Sequence, residues 1–69
     1  MSGLTNRVRE LRFHAGEMTQ AQLAERAGVT RQTIAAIERN KYAPSLETAF
    51  RIAGAFGLPL TEVFGWEGA

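Results

Sequence analysis

Cysteine and aspartate are absent from this chain, and histidine occurs once, as His14. The first absence excludes a disulfide and any thiolate metal site. One imidazole without a thiol is no ligand set for structural zinc, so no metal is expected. The seven glutamates stand singly along the chain and form no acid–base couple, which leaves an enzyme almost nothing to work with. No apolar run approaches the ~18 residues of a membrane span, and no signal peptide is visible, so a soluble cytoplasmic protein is expected. A chain of 69 residues has little room for a ligand pocket, so neither a cofactor nor a small-molecule effector is expected. Repeats and low-complexity segments are absent as well.

What remains is one small domain, residues 1–69. Below ~70–80 residues a single core rarely supplies more than ~3–5 kcal/mol, and a disulfide, a metal or an oligomer often supplements it. With the first two excluded, self-association is the expected supplement. The net charge of +1 is small but unevenly spread. Residues 1–41 hold seven of the eight basic side chains against four glutamates, whereas residues 42–69 hold Arg51 against three. One basic end suits docking on phosphate, although ordinary surface pairing of charges would look the same from composition alone.

The informative stretch is TQAQLAERAGVTRQTIAAIERNK, residues 19–41. Thr19 can cap a helix beginning at Gln20, with Gln22 completing a capping box. Leu23, Ala24 and Ala27 give that helix one apolar stripe, and Gly28 ends it where a left-handed residue is needed. Thr30 caps a second helix from Arg31, which carries Ile34 and Ile37 inward. Two short helices joined through a glycine turn make a helix-turn-helix over residues 20–40. Ala24 must be small where the helices approach, and Val29 plugs the corner.

The flanking segments read as further short helices. From Asn6 a helix is expected with Val8, Leu11 and Ala15 on one face, stopped by Gly16. Phe13 lies off that face, where an exposed aromatic could mark a partner contact; it is expected instead to fold over the helix end onto apolar neighbours. His14 sits in the last turn, where a cation suits the helix dipole. Asn40 is expected in the left-handed position that ends the second motif helix. Tyr42–Ala43–Pro44 is the connecting turn and Ser45 the next cap. Leu46, Ala49, Phe50, Ala53 and Phe56, widened by Ile52 and Ala55, form a broad stripe that predicts a central helix buried on more than one side. Gly57 ends it, and Pro59 opens a short fifth helix, Leu60 to Phe64. In the tail, 63–69, Phe64 and Trp66 alternate with small or polar residues, a brief strand pattern. The fold expected is all-α, five short helices around the central motif, with a short strand pair at the termini as an option.

Residues 7–64, through TQAQLAERAGVTRQTIAAIERNKYAPSLETAFRIAGAFGLPLTEVF, resemble the phage-repressor/Cro (XRE-type) helix-turn-helix family, and within it the short stand-alone dimeric repressors. The resemblance implies an ion pair between Arg12 and Glu38. It also implies pairing of the tail with the Met1–Thr5 arm, within one chain or across two. Phe64 and Trp66 are expected at a dimer interface, with a tuck onto the core as the alternative for the tryptophan.

The resemblance further makes the second motif helix the recognition helix, whose first turn enters the major groove. Arg31, Gln32 and Thr33 occupy that turn: Arg can grip guanine O6/N7, Gln can do the same to adenine, and a Thr methyl can meet thymine. Ala35 and Ala36 follow, and Ala36 can offer a base only apolar contact. Gln20, Thr30, Arg39, Asn40, Lys41 and Tyr42 are the expected phosphate contacts. The reading is therefore a homodimeric regulator, cytoplasmic and nucleoid-associated when bound, that represses from a pseudo-palindromic operator in double-stranded DNA. Two alternatives stay open: an antitoxin-like or anti-repressor module that holds a protein partner, and a nucleoid-type binder without sequence preference.

Overall fold

The computed structural model describes residues 3–68; Met1, Ser2 and Ala69, which end the expected arm and tail, lie outside the described residues. In chain order it contains β1 (Leu4–Asn6), α1 (Val8–His14), α2 (Gln20–Ala27), α3 (Arg31–Glu38), α4 (Leu46–Phe56), α5 (Leu60–Val63) and β2 (Phe64–Trp66).

Each long helix starts and stops by local chemistry. The Thr19 hydroxyl accepts the Gln22 N–H at 3.0 Å while the Gln22 amide oxygen accepts the Thr19 N–H at 2.8 Å, a complete capping box. Thr30 and Ser45 cap α3 and α4 with the first half of that device, their hydroxyls accepting the N–H of Thr33 and Thr48 at 3.1 Å each. The other ends share one device. Gly28, Asn40 and Gly57 adopt φ of 73°, 58° and 68°. The residue after each donates back to the carbonyl five positions earlier: Val29 to Ala24, Lys41 to Ala36 and Leu58 to Ala53. This wrapped hydrogen bond satisfies carbonyls that a helix end otherwise leaves open.

Helix α2 packs on both α3 and α4. Leu23, Ile34, Ile37, Ile52, Val8 and Val63 are the largest fully buried side chains. Each large aliphatic contributes roughly 1.5–3 kcal/mol through removal from water. Ala24 is buried where α2 meets its neighbours, and Val29 packs against the core at the corner of the turn. No buried side-chain nitrogen or oxygen among the described residues lacks a hydrogen-bond partner.

The termini pair within the chain. Strands β1 and β2 run antiparallel, with Leu4 opposite Trp66, Thr5 opposite Gly65 and Asn6 opposite Phe64. The Arg7 N–H extends the ladder to the Val63 carbonyl at 2.9 Å. A Cβ at Gly65 would stand 2.8 Å from the Thr5 hydroxyl, so a larger residue there would force that side chain to move.

Several expectations need correction. Asn6 lies in β1 rather than in the first helix: its backbone pairs with Phe64, and its side-chain oxygen accepts the Val8 N–H at 3.0 Å. Ala15 is the exposed C-cap of α1, not part of the buried face. Phe13 does not fold onto apolar groups; it is exposed, with the Arg9 guanidinium 6.0 Å above its ring. Leu46 and Phe50 of the broad stripe face solvent, because the core sector of α4 is centred on Ala49, Ile52 and Ala53. Helix α5 ends at Val63, and Phe64 turns to extended geometry (φ −117°, ψ 143°) to enter β2. Phe64 is only 8 % exposed and belongs to the core of its own chain, whereas Trp66 is 67 % exposed. Of the two residues expected at a dimer interface, only the tryptophan offers a surface.

Candidate nucleic-acid interface

Arg31 and Gln32 are exposed on the first turn of α3, as a base-reading pair must be. Thr33 is half-buried, and its backbone N–H donates to the Thr30 hydroxyl at 3.1 Å, so both threonines are engaged in closing the helix end. Their hydroxyls also share a hydrogen bond of 3.0 Å. Ala35 and Ala36 are half-buried on the next turn and add no polar group to the surface.

Behind this surface lies an ordered set of polar bonds. The Arg12 guanidinium grips Glu38 with two bonds, Nε to Oε2 at 2.6 Å and Nη2 to Oε1 at 3.1 Å, and donates a third to the Met18 carbonyl at 2.8 Å. The side chains are 14 % and 7 % exposed, so this pair sits largely out of water. Glu38 Oε1 also accepts from the Gln20 amide at 3.1 Å, and the Gln20 oxygen faces the Arg31 guanidinium at 3.5 Å. The structure thus joins Arg12, Glu38, Gln20 and Arg31 in one chain from the core to the exposed turn. Gln20, expected on a phosphate, is half-buried and gives one of its two amide N–H donors to Glu38. The first N–H groups of α2 are the part of that helix end suited to an anion.

Thr30 caps the start of α3, and the other four expected phosphate residues cluster at its opposite end. Arg39 is its C-cap, and Arg39, Asn40, Lys41 and Tyr42 are all exposed. Asn40 also accepts a hydrogen bond from the Asn6 amide at 3.2 Å, and that amide donates to the Ile37 carbonyl at 3.0 Å. Asn6 therefore ties the strand pair to the end of α3, a role no local sequence signal announced. An eight-residue helix is ~12 Å long, so Thr30 and the Arg39–Tyr42 cluster stand about one major-groove width apart.

A two-helix motif with one polar, exposed first turn and basic groups at the far end of the same helix defines a helix-turn-helix domain. The helix-turn-helix family model matches residues 8–63, and the chain belongs to that family, in its phage-repressor/Cro (XRE) type. The family is one of DNA-binding transcription regulators, not of enzymes. The chain is 47 % identical over 64 residues to the uncharacterized HTH-type transcriptional regulator YgzD of Bacillus subtilis, covering 93 % of this chain and 96 % of that protein. It is 52 % identical over 50 residues to the HTH-type transcriptional regulator MJ0272 of Methanocaldococcus jannaschii, covering 72 % and 76 %. It is also similar to the immunity repressor protein of Bacillus phage phi105, 45 % identical over 51 residues that cover 74 % of this chain and 35 % of the repressor. Among the described residues no helix is long and apolar enough to cross a membrane.

Proposed function

We propose that this protein is a sequence-specific repressor that binds a pseudo-palindromic operator as a homodimer. The observation that carries the reading is the exposed Arg31–Gln32 pair on a capped helix, with Arg31 beside Gln20 and basic residues one groove width away. Arg31 reads guanine and Gln32 adenine, each good bidentate contact discriminating by ~1–3 kcal/mol. A single domain of this kind buries only ~600–1,000 Å² on DNA, too little for tight binding at physiological salt, and two coupled domains multiply. In the dimer two copies of α3 stand about one helical turn, ~34 Å, apart. Trp66, beside Gly3 at the outer end of the strand pair, is the side chain we assign to the contact between copies.

The test is selection of duplexes from a random pool by the purified protein, followed by fluorescence anisotropy on the selected and a shuffled duplex. A preference of at least a hundredfold, together with a dimer by sedimentation at micromolar concentration, supports the proposal. Equal binding to both duplexes removes the specific-regulator reading, and a monomer with and without DNA removes the dimer. Arg31→Ala should relax preference at one base pair; uniform weakening on all DNA would instead favour a binder without sequence preference. Exposed Leu46 and Phe50, one turn apart on α4, favour a second reading in which the fold holds a protein partner. Co-purification of that partner with the wild type but not with a Phe50→Ser variant would support it.

A further inference from the structure

Six arginines lie in the first 41 residues, and they differ in what they face. Arg7 bonds to Glu10 and lies 3.7 Å from Glu62, and Arg12 is held by Glu38. Arg9 has no carboxylate within ion-pair distance among the described residues; its guanidinium lies over the ring of Phe13, one turn along α1. An exposed cation over an aromatic face gains modestly from the ring quadrupole and loses freedom to wander. Phe13 is therefore best read as a platform for Arg9, which accounts for an aromatic left 58 % exposed.

The placement of that platform is what matters. Arg9 shares an open depression of about 300 Å³ with Arg12, Gln20, Ala35, Glu38 and Arg39. Three guanidiniums meet one carboxylate there, and that carboxylate already accepts two bonds from Arg12 and one from Gln20. Arg9 and Arg39, from α1 and from the end of α3, are left facing the depression without a counter-charge. Ala35 is too short to fill the space between them. Phe13 itself borders a second depression together with Gln20 and Arg31, on the side that carries the base-reading turn. Two uncompensated guanidiniums across a small open hollow, on the edge of the recognition surface, form a site for a single anionic group.

We propose that Arg9, steadied by Phe13 and acting with Arg39, grips a DNA phosphodiester, so that α1 is a second element of the protein–DNA contact. The inference rests on the DNA-binding reading above. Planar guanidiniums suit a phosphate because each can offer two parallel N–H donors. The contact positions the protein on the backbone and carries no base information.

The experiment is an anisotropy titration over a range of salt concentrations on the selected and the shuffled duplex, with wild type, Arg9→Gln, Arg9→Lys and Phe13→Leu proteins. One phosphate contact contributes ~0.9 to the slope of log K against log salt, which at ~0.15 M salt amounts to about fivefold in affinity. Arg9→Gln should bind both duplexes about fivefold more weakly, with the slope smaller by ~0.9 and an unchanged melting curve, because Arg9 is exposed. Arg9→Lys should restore most of the slope. Phe13→Leu should show a smaller loss of affinity than Arg9→Gln at full slope, since the charge stays but its platform is gone. An Arg9→Gln protein with wild-type slope, whatever its affinity, overturns the proposal. A wild type that prefers no duplex refutes the specific-operator reading and leaves the phosphate contact to be judged from its salt slope alone.

Discussion

Removing Glu38 is the sharpest test of how this small domain stays folded. Its carboxylate accepts two bonds from Arg12 and one from Gln20, at 2.6, 3.1 and 3.1 Å. In a Glu38→Ala variant the Arg12 guanidinium can keep its bond to the Met18 carbonyl but loses its counter-charge, at a site where its side chain is only 14 % exposed with the pair intact. Breaking a buried pair from one side costs on the order of 3–5 kcal/mol, and the exposed remainder of Arg12 argues for the lower end. A domain of this size holds a total of only about that much. Glu38→Ala should therefore populate the unfolded state substantially at 25 °C, whereas the exposed pair of Glu47 with Arg51 should count for less than ~1 kcal/mol. Replacing both partners by apolar groups, Arg12→Met with Glu38→Leu, should recover most of the loss, because no charge is left stranded.

The assay is urea unfolding followed by far-ultraviolet circular dichroism at one fixed protein concentration, since self-association would move the midpoint. Wild type, Arg12→Met, Glu38→Leu and the double variant form a cycle that yields the coupling between the residues directly. Repetition in 1 M salt separates the cases, because exposed pairs are screened and this one should not be. A loss below ~1 kcal/mol for Glu38→Ala, or a double variant as damaged as the single one, would refute the reasoning.

Three further outcomes follow from the same geometry. Gly57→Ala forces a side chain into φ 68° and should lower stability by ~1–2 kcal/mol, whereas Glu17→Gly, relieving a non-glycine residue at φ 59°, should be neutral to stabilising by up to ~1 kcal/mol; thermal melts of both decide. The hydrogen bond from Arg7, and then its charge, hold the Glu10 carboxyl below the usual carboxylate range. A depressed folded value means that this contribution is complete above the ordinary pKa and is lost as the pH falls through the folded one. An NMR titration should show Glu10 returning to the usual range in Arg7→Ala, and an unmoved midpoint would contradict the assignment. Leu23→Ala empties a fully buried site and should cost ~2–5 kcal/mol, enough to unfold most of the protein in the same urea assay.

The parts of this fold that local chemistry dictates were legible in the residues. Caps at Thr19, Thr30 and Ser45 and left-handed stops at Gly28, Asn40 and Gly57 stand where side chain and φ preferences put them. What escaped depends on long-range packing. Periodicity measures how wide an apolar face is, but not which sector a neighbour covers; hence Leu46 and Phe50 were read inward and lie outward. Phe64 and Trp66 share one side of a strand, yet the strand leaves the core after its first residue, burying one and exposing the other. Met18 enters the core because Gly16 and Glu17 both take left-handed geometry, and a glutamate gives no sign of that. In the candidate site, the exposed Arg31 and Gln32 follow from the motif, whereas the roles of Asn6 and Arg9 depend on segments 31 or more residues away or on the meeting of α1 with α3.

Gln20 shows why that distinction matters for function. As the first residue of α2 it was an obvious phosphate ligand, but its amide bridges Glu38 and Arg31. Turning the side chain outward to a phosphate would break its bond to a carboxylate that is 7 % exposed, a charge-assisted bond worth ~1.5–3 kcal/mol. A neutral amide gains less than that from an exposed phosphate in competition with water. The amide has two N–H donors, however, and gives only one to Glu38, so on the proposed DNA-binding reading the second can still meet a phosphate without that bond breaking, beside the N–H groups of the helix end. The 3.5 Å contact to Arg31, at the outer limit of a hydrogen bond, is weak enough to yield to a guanine edge. On the proposed reading, the core-to-surface chain would limit where the Arg31 guanidinium wanders before binding without competing strongly once a base is present, so that a buried ion pair would serve reading as well as folding.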